Sequence, residues 1–472
     1  MPWGMGTVDC SGMRRLEEAA LRAGVSAEEL MDKAGRRLGA ALCRLVPGPG
    51  TAVAYIGKGH NGGDALVALR VLREAGWKIL VRSPWELPEL GVLPRRKHRE
   101  LGGPELRREP LTGNDHARPL LVIDGLLGIG ARGPLRPPLE GMAAEINALR
   151  EQAGALVAAV DLPSGLDGDT GAVGTGAVTA DLTFTIGVPK AGLLADGATA
   201  TVGRLELIPL EELPPPAGGP CLVEPGMLRG LLPPRPFDMH KGTAGRVGLV
   251  AGSEGLLGAA LLAARGALRG GAGLVTLYVS RRLYPLMVSA GPPPELMIQP
   301  VSSYLELLDA PLDALALGPG LGRPNKEDRQ ELLELLRACR APVVLDADGL
   351  NLVAESGPGP HWRDGILATP HPGEFRRLAP ELASLDRATA ARAFADRFAV
   401  TLLLKGARTV MTAPGRPLFF NSTGTPGMAG GGQGDVLTGL LGALAAPGLG
   451  LLEAACCGAW LDGRASEITI AD

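Results

Sequence analysis

Aromatic side chains are scarce in this sequence, at 3% of residues, so its interior has to be filled mainly by Leu, Val and Ala. An excess of one charge is lacking as well: 47 Lys and Arg stand against 50 Asp and Glu, a formal net charge of −3. No global field therefore recruits nucleic acid or an anionic membrane surface, and small-molecule partners are favoured. Cysteine is sparse and scattered. The six residues Cys10, Cys43, Cys221, Cys339, Cys456 and Cys457 include no C-x-x-C pair, which argues against a disulfide framework and for a reducing, cytoplasmic setting. Long hydrophobic runs are also missing. Asp9, Arg14 and Arg15 interrupt the start of the chain, and Pro447, Gly448 and Gly450 break the apolar stretch 440–452, so neither a signal peptide nor a membrane span is expected.

What the sequence does have is glycine (69) and proline (41), the residues of tight turns, within a composition that is 46% hydrophobic and 21% charged. That balance describes a globular protein, and 472 residues exceed what one hydrophobic core usually serves. Apolar runs at 52–56, 120–123 and 155–160 end in Gly57, Asp124 and Asp161 and lead toward helical text, with a helix expected over 65–72. Apolar strands that end in Asp or Gly and feed helices describe a parallel sheet covered on both faces. Such sheets bind ligands at the carboxyl ends of their strands. Residues 213–220, rich in Pro and Gly, support neither a helix nor a central strand. The domain boundary is placed there, giving domains at 1–213 and 221–472. Beyond it the alternation resumes with runs at 247–251, 274–279, 314–317, 343–346, 365–368 and 400–404, so the fold class is α/β in both domains. The basic cluster at 95–99 is expected on a solvated helix or loop.

Between the run at 52–56 and the following helix, residues 57–64 carry closely spaced glycines that admit a ligand to the backbone and point amides at an anion. Alone they could equally make a tight turn, but Asp124 and Asp161 end strands of the same sheet and would face the same crevice. Asn61-Gly62-Gly63-Asp64, Asp124-Gly125-Leu126-Leu127-Gly128, Gly130-Ala131-Arg132-Gly133, Asp161-Leu162-Pro163-Ser164-Gly165 and Pro189-Lys190-Ala191-Gly192 resemble the NAD(P)H-hydrate epimerase family. The resemblance implies a Rossmann-like three-layer sandwich that interconverts the epimers of hydrated NADH and NADPH. It further implies a potassium ion held by Asn61, Asp124 and Ser164, whose oxygens suit a hard cation. Substrate would lie against His60, Asn61, Gly62, Gly63, Asp64, Gly128, Ile129, Gly130, Ala131, Arg132, Gly133, Pro134 and Asp161, with Asp161 a candidate acid/base. Lys190 reads either as its helper or as a plain loop charge. Where the family commonly has Asn and Gly, this chain has His60 and Ala65.

The most specific stretch is 423–435, ending Gly432-Gln433-Gly434-Asp435 before helical text at 436–444. An Asp that closes a glycine run and opens a helix combines amides able to neutralise a transferring phosphoryl group with a carboxylate beside them. This G-x-G-D ending resembles the ribokinase-like superfamily. Lys241-Gly242, Leu317-Gly318-Pro319-Gly320, Asp346-Ala347-Asp348-Gly349, Thr369-Pro370-His371-Pro372-Gly373-Glu374 and Leu404-Lys405-Gly406 narrow it to the NAD(P)H-hydrate dehydratases. The implied domain is a ribokinase-like three-layer α/β/α sandwich. In it Ala259, Gly320, His371 and Asp435 meet the hydrate, while Lys405, Gly406, Ala407, Arg408, Thr409 and Gly434 meet the nucleotide. Asp435 would be the base, and ADP with magnesium the co-substrate. Asp346 and Asp348 either bind magnesium through water or cap their loop. Thr is usual in the family where this chain has Gly430 and Gln433.

The combined expectation is a bifunctional repair enzyme: epimerisation by the first domain, then ADP-dependent dehydration of the S hydrate to NAD(P)H with release of AMP and phosphate. Its partners are hydrated NADH or NADPH and ADP, with no nucleic acid or membrane, and homo-oligomerisation is left open. An ATP-dependent vitamin-type kinase carrying a non-catalytic N-terminal module is the alternative. The residues at 369–374 and 425–429 speak against it, as do Asn61, Asp64, Asp124 and Asp161.

Overall fold

Six consecutive buried residues, Thr51–Ile56, form the strand around which the first half of the chain is wound. The computed structural model describes residues 5–112, 115–130, 133–216, 218–232, 234–357 and 361–471. Two compact units divide the chain, Met1–Leu222 and Val223–Ile470.

In the N-terminal unit the strands are β1 (Thr51–Ile56), β2 (Lys78–Arg82), β3 (Leu106–Arg107), β4 (Leu120–Gly125), β5 (Leu156–Val160), β6 (Leu182–Ile186) and β7 (Arg204–Ile208). They form one parallel sheet in the order β3-β2-β1-β4-β5-β6-β7. The two-residue side-chain period of β1 sends Ala52, Ala54 and Ile56 into a core with Leu38, Leu42, Leu66 and Leu69, and Val53 and Tyr55 into another with Met142 and Ile146. Helices Ala27–Leu45 and His60–Glu74 supply the first core and Leu139–Ala153 the second, so the unit has three layers. Strand order reverses between β1 and β4, which opens a crevice at their carboxyl ends. At the close of the unit, Cys221–Leu222 pair antiparallel with Met5–Gly6.

Two local expectations are corrected. The helix after β1 begins at His60, not at 65, so the glycines of 60–64 lie within its first turns. They are there because a Cβ on Gly62 would stand 2.7 Å from the Gly57 carbonyl oxygen and one on Gly63 2.5 Å from Met31 Sδ. The basic cluster lies on the helix Val92–Glu100, but Lys97 is 2% exposed rather than solvated. Glu28, Asp32 and Glu100 surround its ammonium at 2.8, 2.9 and 3.1 Å and meet the cost of burying it.

The C-terminal unit carries β8 (Arg246–Val250), β9 (Leu274–Ser280), β10 (Met297–Val301), β11 (Ala314–Leu317), β12 (Val343–Leu345), β13 (Ile366–Ala368), β14 (Thr401–Leu404), β15 (Val410–Thr412) and β16 (Phe419–Phe420). Their order is β16-β15-β14-β13-β12-β11-β8-β9-β10, parallel from β10 to β14 and antiparallel beyond. Again the order reverses, here between β8 and β11. Helices Leu257–Arg269 and Gln433–Ala445 approach unusually closely, because a Cβ on Gly266 would stand 2.2 Å from the Val436 carbonyl oxygen and one on Gly439 1.9 Å from that of Ala263. Among the described residues no helix is long and apolar enough to cross a membrane.

Candidate active sites

In the N-terminal crevice Asp124, next to last in β4, is fully buried. Ser164 donates to it twice, from its hydroxyl to Oδ1 and from its amide to Oδ2, each at 2.7 Å, and the Leu126 amide adds a bond of 3.2 Å. Burial pushes this carboxyl up to about 6 against the pull of those three donors. Asn61, in the first turn of its helix, donates through Nδ2 to the carbonyls of Leu127 (2.7 Å) and Val160 (2.8 Å). Leu127 N in turn donates to Ser164 Oγ at 3.1 Å. The three residues expected to hold a cation are therefore linked into one oxygen-rich network at the ends of β1, β4 and β5.

Asp161 follows β5 with a left-handed φ of 67°, a conformation that is rare outside glycine and asparagine. Its Oδ1 accepts from the Ile186 amide at 3.0 Å and from the Lys190 ammonium. Lys190 is 1% exposed and donates also to the Ile186 carbonyl at 2.8 Å, so it is a buried ion-pair partner and not a loop charge. Asp64 is buried one turn beyond His60 in the same helix, whereas His60 is exposed. Gly128, Ile129, Gly130, Gly133 and Pro134 lie on the partly exposed loop after β4, and a Cβ on Gly128 would stand 3.2 Å from Asn61 Oδ1. Ala131 and Arg132 fall outside the described residues. Sequence reasoning missed Glu17, which lines a cleft with His60 and Asp64. Its signal is weak: one of two adjacent acids, Glu17 and Glu18, on the amphipathic helix Cys10–Arg22, a pattern ordinary for a solvated face.

In the C-terminal unit the candidate residues gather at the carboxyl ends of the central strands. Asp435 lies in the first turn of Gln433–Ala445, whose cap Gly432 has a left-handed φ of 93°. Burial, then the Asp346 charge, push the Asp435 carboxyl up to about 6, with Lys405 opposing. Asp346, directly after β12, is 1% exposed and accepts from Lys405 Nζ at 2.7 Å and from Thr438 Oγ1 at 2.6 Å. The Lys405 ammonium also borders the helix start, since a Cβ on Gly434 would stand 3.3 Å from it. Asp348 accepts from the Gly322 amide (2.8 Å) and from Asn351 Nδ2 (3.1 Å), as a loop cap does. Gly320, after β11, has a φ of 62°, and a Cβ there would stand 2.8 Å from that of Ala259, so these two positions are neighbours. His371 caps Pro372–Leu378: its Nδ1 accepts from the Gly373 amide at 2.9 Å and its Nε2 faces Glu374 at 3.3 Å. Lys405, Gly406, Ala407, Arg408 and Thr409 form the turn between β14 and β15. Arg408 is 3% exposed, so a ligand over this turn meets its backbone more readily than its guanidinium.

Two family models match: NAD(P)H-hydrate dehydratase over residues 247–472 and YjeF-related protein N-terminus over residues 27–192. The bifunctional NAD(P)H-hydrate repair enzyme of Gloeobacter violaceus is 39% identical, the match covering 97% of this chain and 94% of that protein. Its namesake in Escherichia coli is 34% identical, over 96% of this chain and 87% of that protein. Among solved structures, the ADP/ATP-dependent NAD(P)H-hydrate dehydratase of Bacillus subtilis, co-crystallised with ATP and magnesium, is 34% identical, covering 52% of this chain and 88% of that one at a TM-score of 0.45. With both halves matched in order and nearly the whole length aligned, the chain belongs to the family of bifunctional NAD(P)H-hydrate repair enzymes.

Proposed function

We propose that the N-terminal unit epimerises the R and S hydrates of NADH and NADPH, and that the C-terminal unit dehydrates the S form using ADP. The observation that carries this reading is the position of Asp435, in the first helical turn beyond left-handed Gly432 and beside Lys405. The helix amides and the Lys405 ammonium would neutralise charge on a transferring phosphoryl group. Asp435 would take the proton of the hydrate's hydroxyl as that oxygen attacks the β-phosphorus and AMP leaves. The ring nitrogen's lone pair then expels phosphate, and loss of a proton from the adjacent carbon restores the dihydropyridine. Ala259, Gly320 and His371 would seat the hydrate. Lys405, Gly406, Ala407, Arg408, Thr409 and Gly434 would seat the nucleotide. Magnesium would arrive on the phosphates, since no cluster of three or more His, Cys, Asp and Glu among the described residues could hold it alone.

For potassium the donor set fits: one buried carboxylate (Asp124), the Ser164 hydroxyl and the Asn61 amide oxygen, with Asp124 opposed in its burial by hydrogen bonds alone. A monovalent cation would supply the missing counter-charge and fix the loops after β4 and β5, which carry the substrate-facing residues and Asp161. Balanced charge and six free cysteines support a cytoplasmic enzyme that works on small molecules without nucleic acid or membrane.

The test is to give the protein both NADH hydrate epimers with ADP, magnesium and potassium and to follow recovery of reduced-nicotinamide absorbance. Two phases are expected, a fast one as the S form is consumed and a slow one limited by epimerisation. No recovery with either ADP or ATP would refute the reading.

A further inference from the structure

The cleft of the N-terminal unit has eleven lining residues, of which only Glu17, His60 and Asp64 are polar. Asp64 is 8% exposed, yet among the described residues it forms no ion pair and its carboxylate accepts no hydrogen bond; the same holds for the side chain of Glu17. Asp64 is buried and Glu17 partly buried, and both line one cleft whose other walls, His60 aside, are apolar. The cleft reaches the reacting region described above: Ile186 lines it, and the Ile186 amide donates to Asp161.

We propose that Glu17 and Asp64 are the proton-donating carboxyl pair of the epimerase, delivering a proton to the hydrate's hydroxyl as that group leaves. This inference rests on the epimerase reading of the N-terminal unit. In the step, the pair's proton passes to the hydroxyl oxygen, the carbon–oxygen bond breaks, and water departs while the ring nitrogen's lone pair forms a carbon–nitrogen double bond. Water then adds to the opposite face and returns its extra proton to the carboxylate, so atoms and electrons balance and no co-reactant is consumed. Asp161, held in its ion pair by Lys190, does not serve as this donor.

The electrostatic surroundings favour the protonated form of both carboxyls. Burial raises the Asp64 carboxyl well above its usual range, and the charges of Asp161, Glu17 and Asp32 raise it further, with Lys190 opposing. Burial also raises Glu17, as does Asp161, against Lys190 and Arg14. His60 is the remaining titratable group on the cleft wall.

The experiment uses the full chain in the two-phase assay, with Glu17→Gln and Asp64→Asn compared to wild type across pH. Asp64→Asn should slow the second phase about a hundredfold or more while the first phase is unchanged. Wild type should lose the second phase as rising pH takes the pair's proton. Glu17→Gln should move that fall to lower pH, because the charge that helps retain the Asp64 proton is gone. A purely structural role would lower the rate equally at every pH. If Asp64→Asn does not fold, the pH profile of Glu17→Gln decides alone. Second phases within twofold of wild type in both variants at all pH values would overturn the pair while leaving the epimerase reading intact; a wild type with no second phase would overturn both.

Discussion

A methyl group on Gly57 would stand 1.9 Å from the Leu126 carbonyl oxygen, and one on Gly125 would stand 2.8 Å from the methyl of Ala65. The glycines around the N-terminal crevice are therefore set by how tightly β1, β4 and the helix His60–Glu74 approach, before any ligand is considered. Ala65, where the family commonly has Gly, is accommodated because Gly125 opposite it has no side chain. In the proposed mechanism Asp435 is the base of the dehydratase half. Asp435→Asn should lower nucleotide-dependent dehydration about a hundredfold or more while sparing epimerisation, since only the first activity needs that base. Because burial and Asp346 push the carboxyl up to about 6, and the ionised form accepts the proton, dehydration in wild type should rise with pH through about 6 and then level off. A rate profile flat across that range would remove Asp435 as the base.

Central strands were legible and edge strands were not. The runs at 52–56, 120–123, 155–160, 274–279 and 314–317 all became strands within a residue or two of their expected ends, because strands buried on both faces need continuous apolar text. Lys78–Arg82, Leu106–Arg107 and Arg204–Ile208 lie toward the edges of their sheet, carry charge, and give no such signal. Helix starts were read late for a related reason: glycine suggests a turn, yet Gly62 and Gly434 sit inside helices where close packing or an exposed amide is needed. Asp124 and Asp161 could be placed at strand ends from the apolar pattern and the other candidate residues came from resemblance, whereas Glu17 and the Asp346–Lys405–Thr438 link depend on tertiary approach alone. That link ties the ends of β12 and β14 to the helix bearing Asp435. Asp346→Asn should leave Lys405 without its anchor and raise the KM for ADP about tenfold, equivalent to about 1.4 kcal/mol, with the KM for the hydrate little changed. Thr438→Val, which removes one hydrogen bond, should reproduce a smaller part of the effect, worth about 1 kcal/mol. Equal changes in both KM values would mean that the link supports the fold and not the nucleotide.

At the scale of the whole molecule, each unit has its own reversal of strand order, so each half has a crevice of its own. The two activities should therefore survive separation if the chain is cut in the right place, and the route of the backbone indicates where. Leu213 is 2% exposed and belongs to a core with Met13, Ala20 and Leu210. Beyond it the prolines at 214–216 carry the chain on to Cys221–Leu222, which pair with Met5–Gly6, while Thr7 N donates to the Pro220 carbonyl at 2.9 Å. A fragment ending at residue 213 keeps that core but strips the partner strand from Met5–Gly6; one ending at residue 222 keeps both. Losing this short ladder should cost about 1–2 kcal/mol, and a domain of this size shifts its Tm by about 2–4 °C per kcal/mol. The longer fragment should unfold cooperatively, epimerise hydrates and melt several degrees above the shorter, while a fragment beginning at residue 223 should dehydrate the S hydrate with ADP. Calorimetry and the two-phase assay, run on fragments mixed and alone, check both points. If the longer fragment melts no higher than the shorter, the terminal pairing contributes nothing; if neither half is active until they are mixed, the crevices are not complete within their own units.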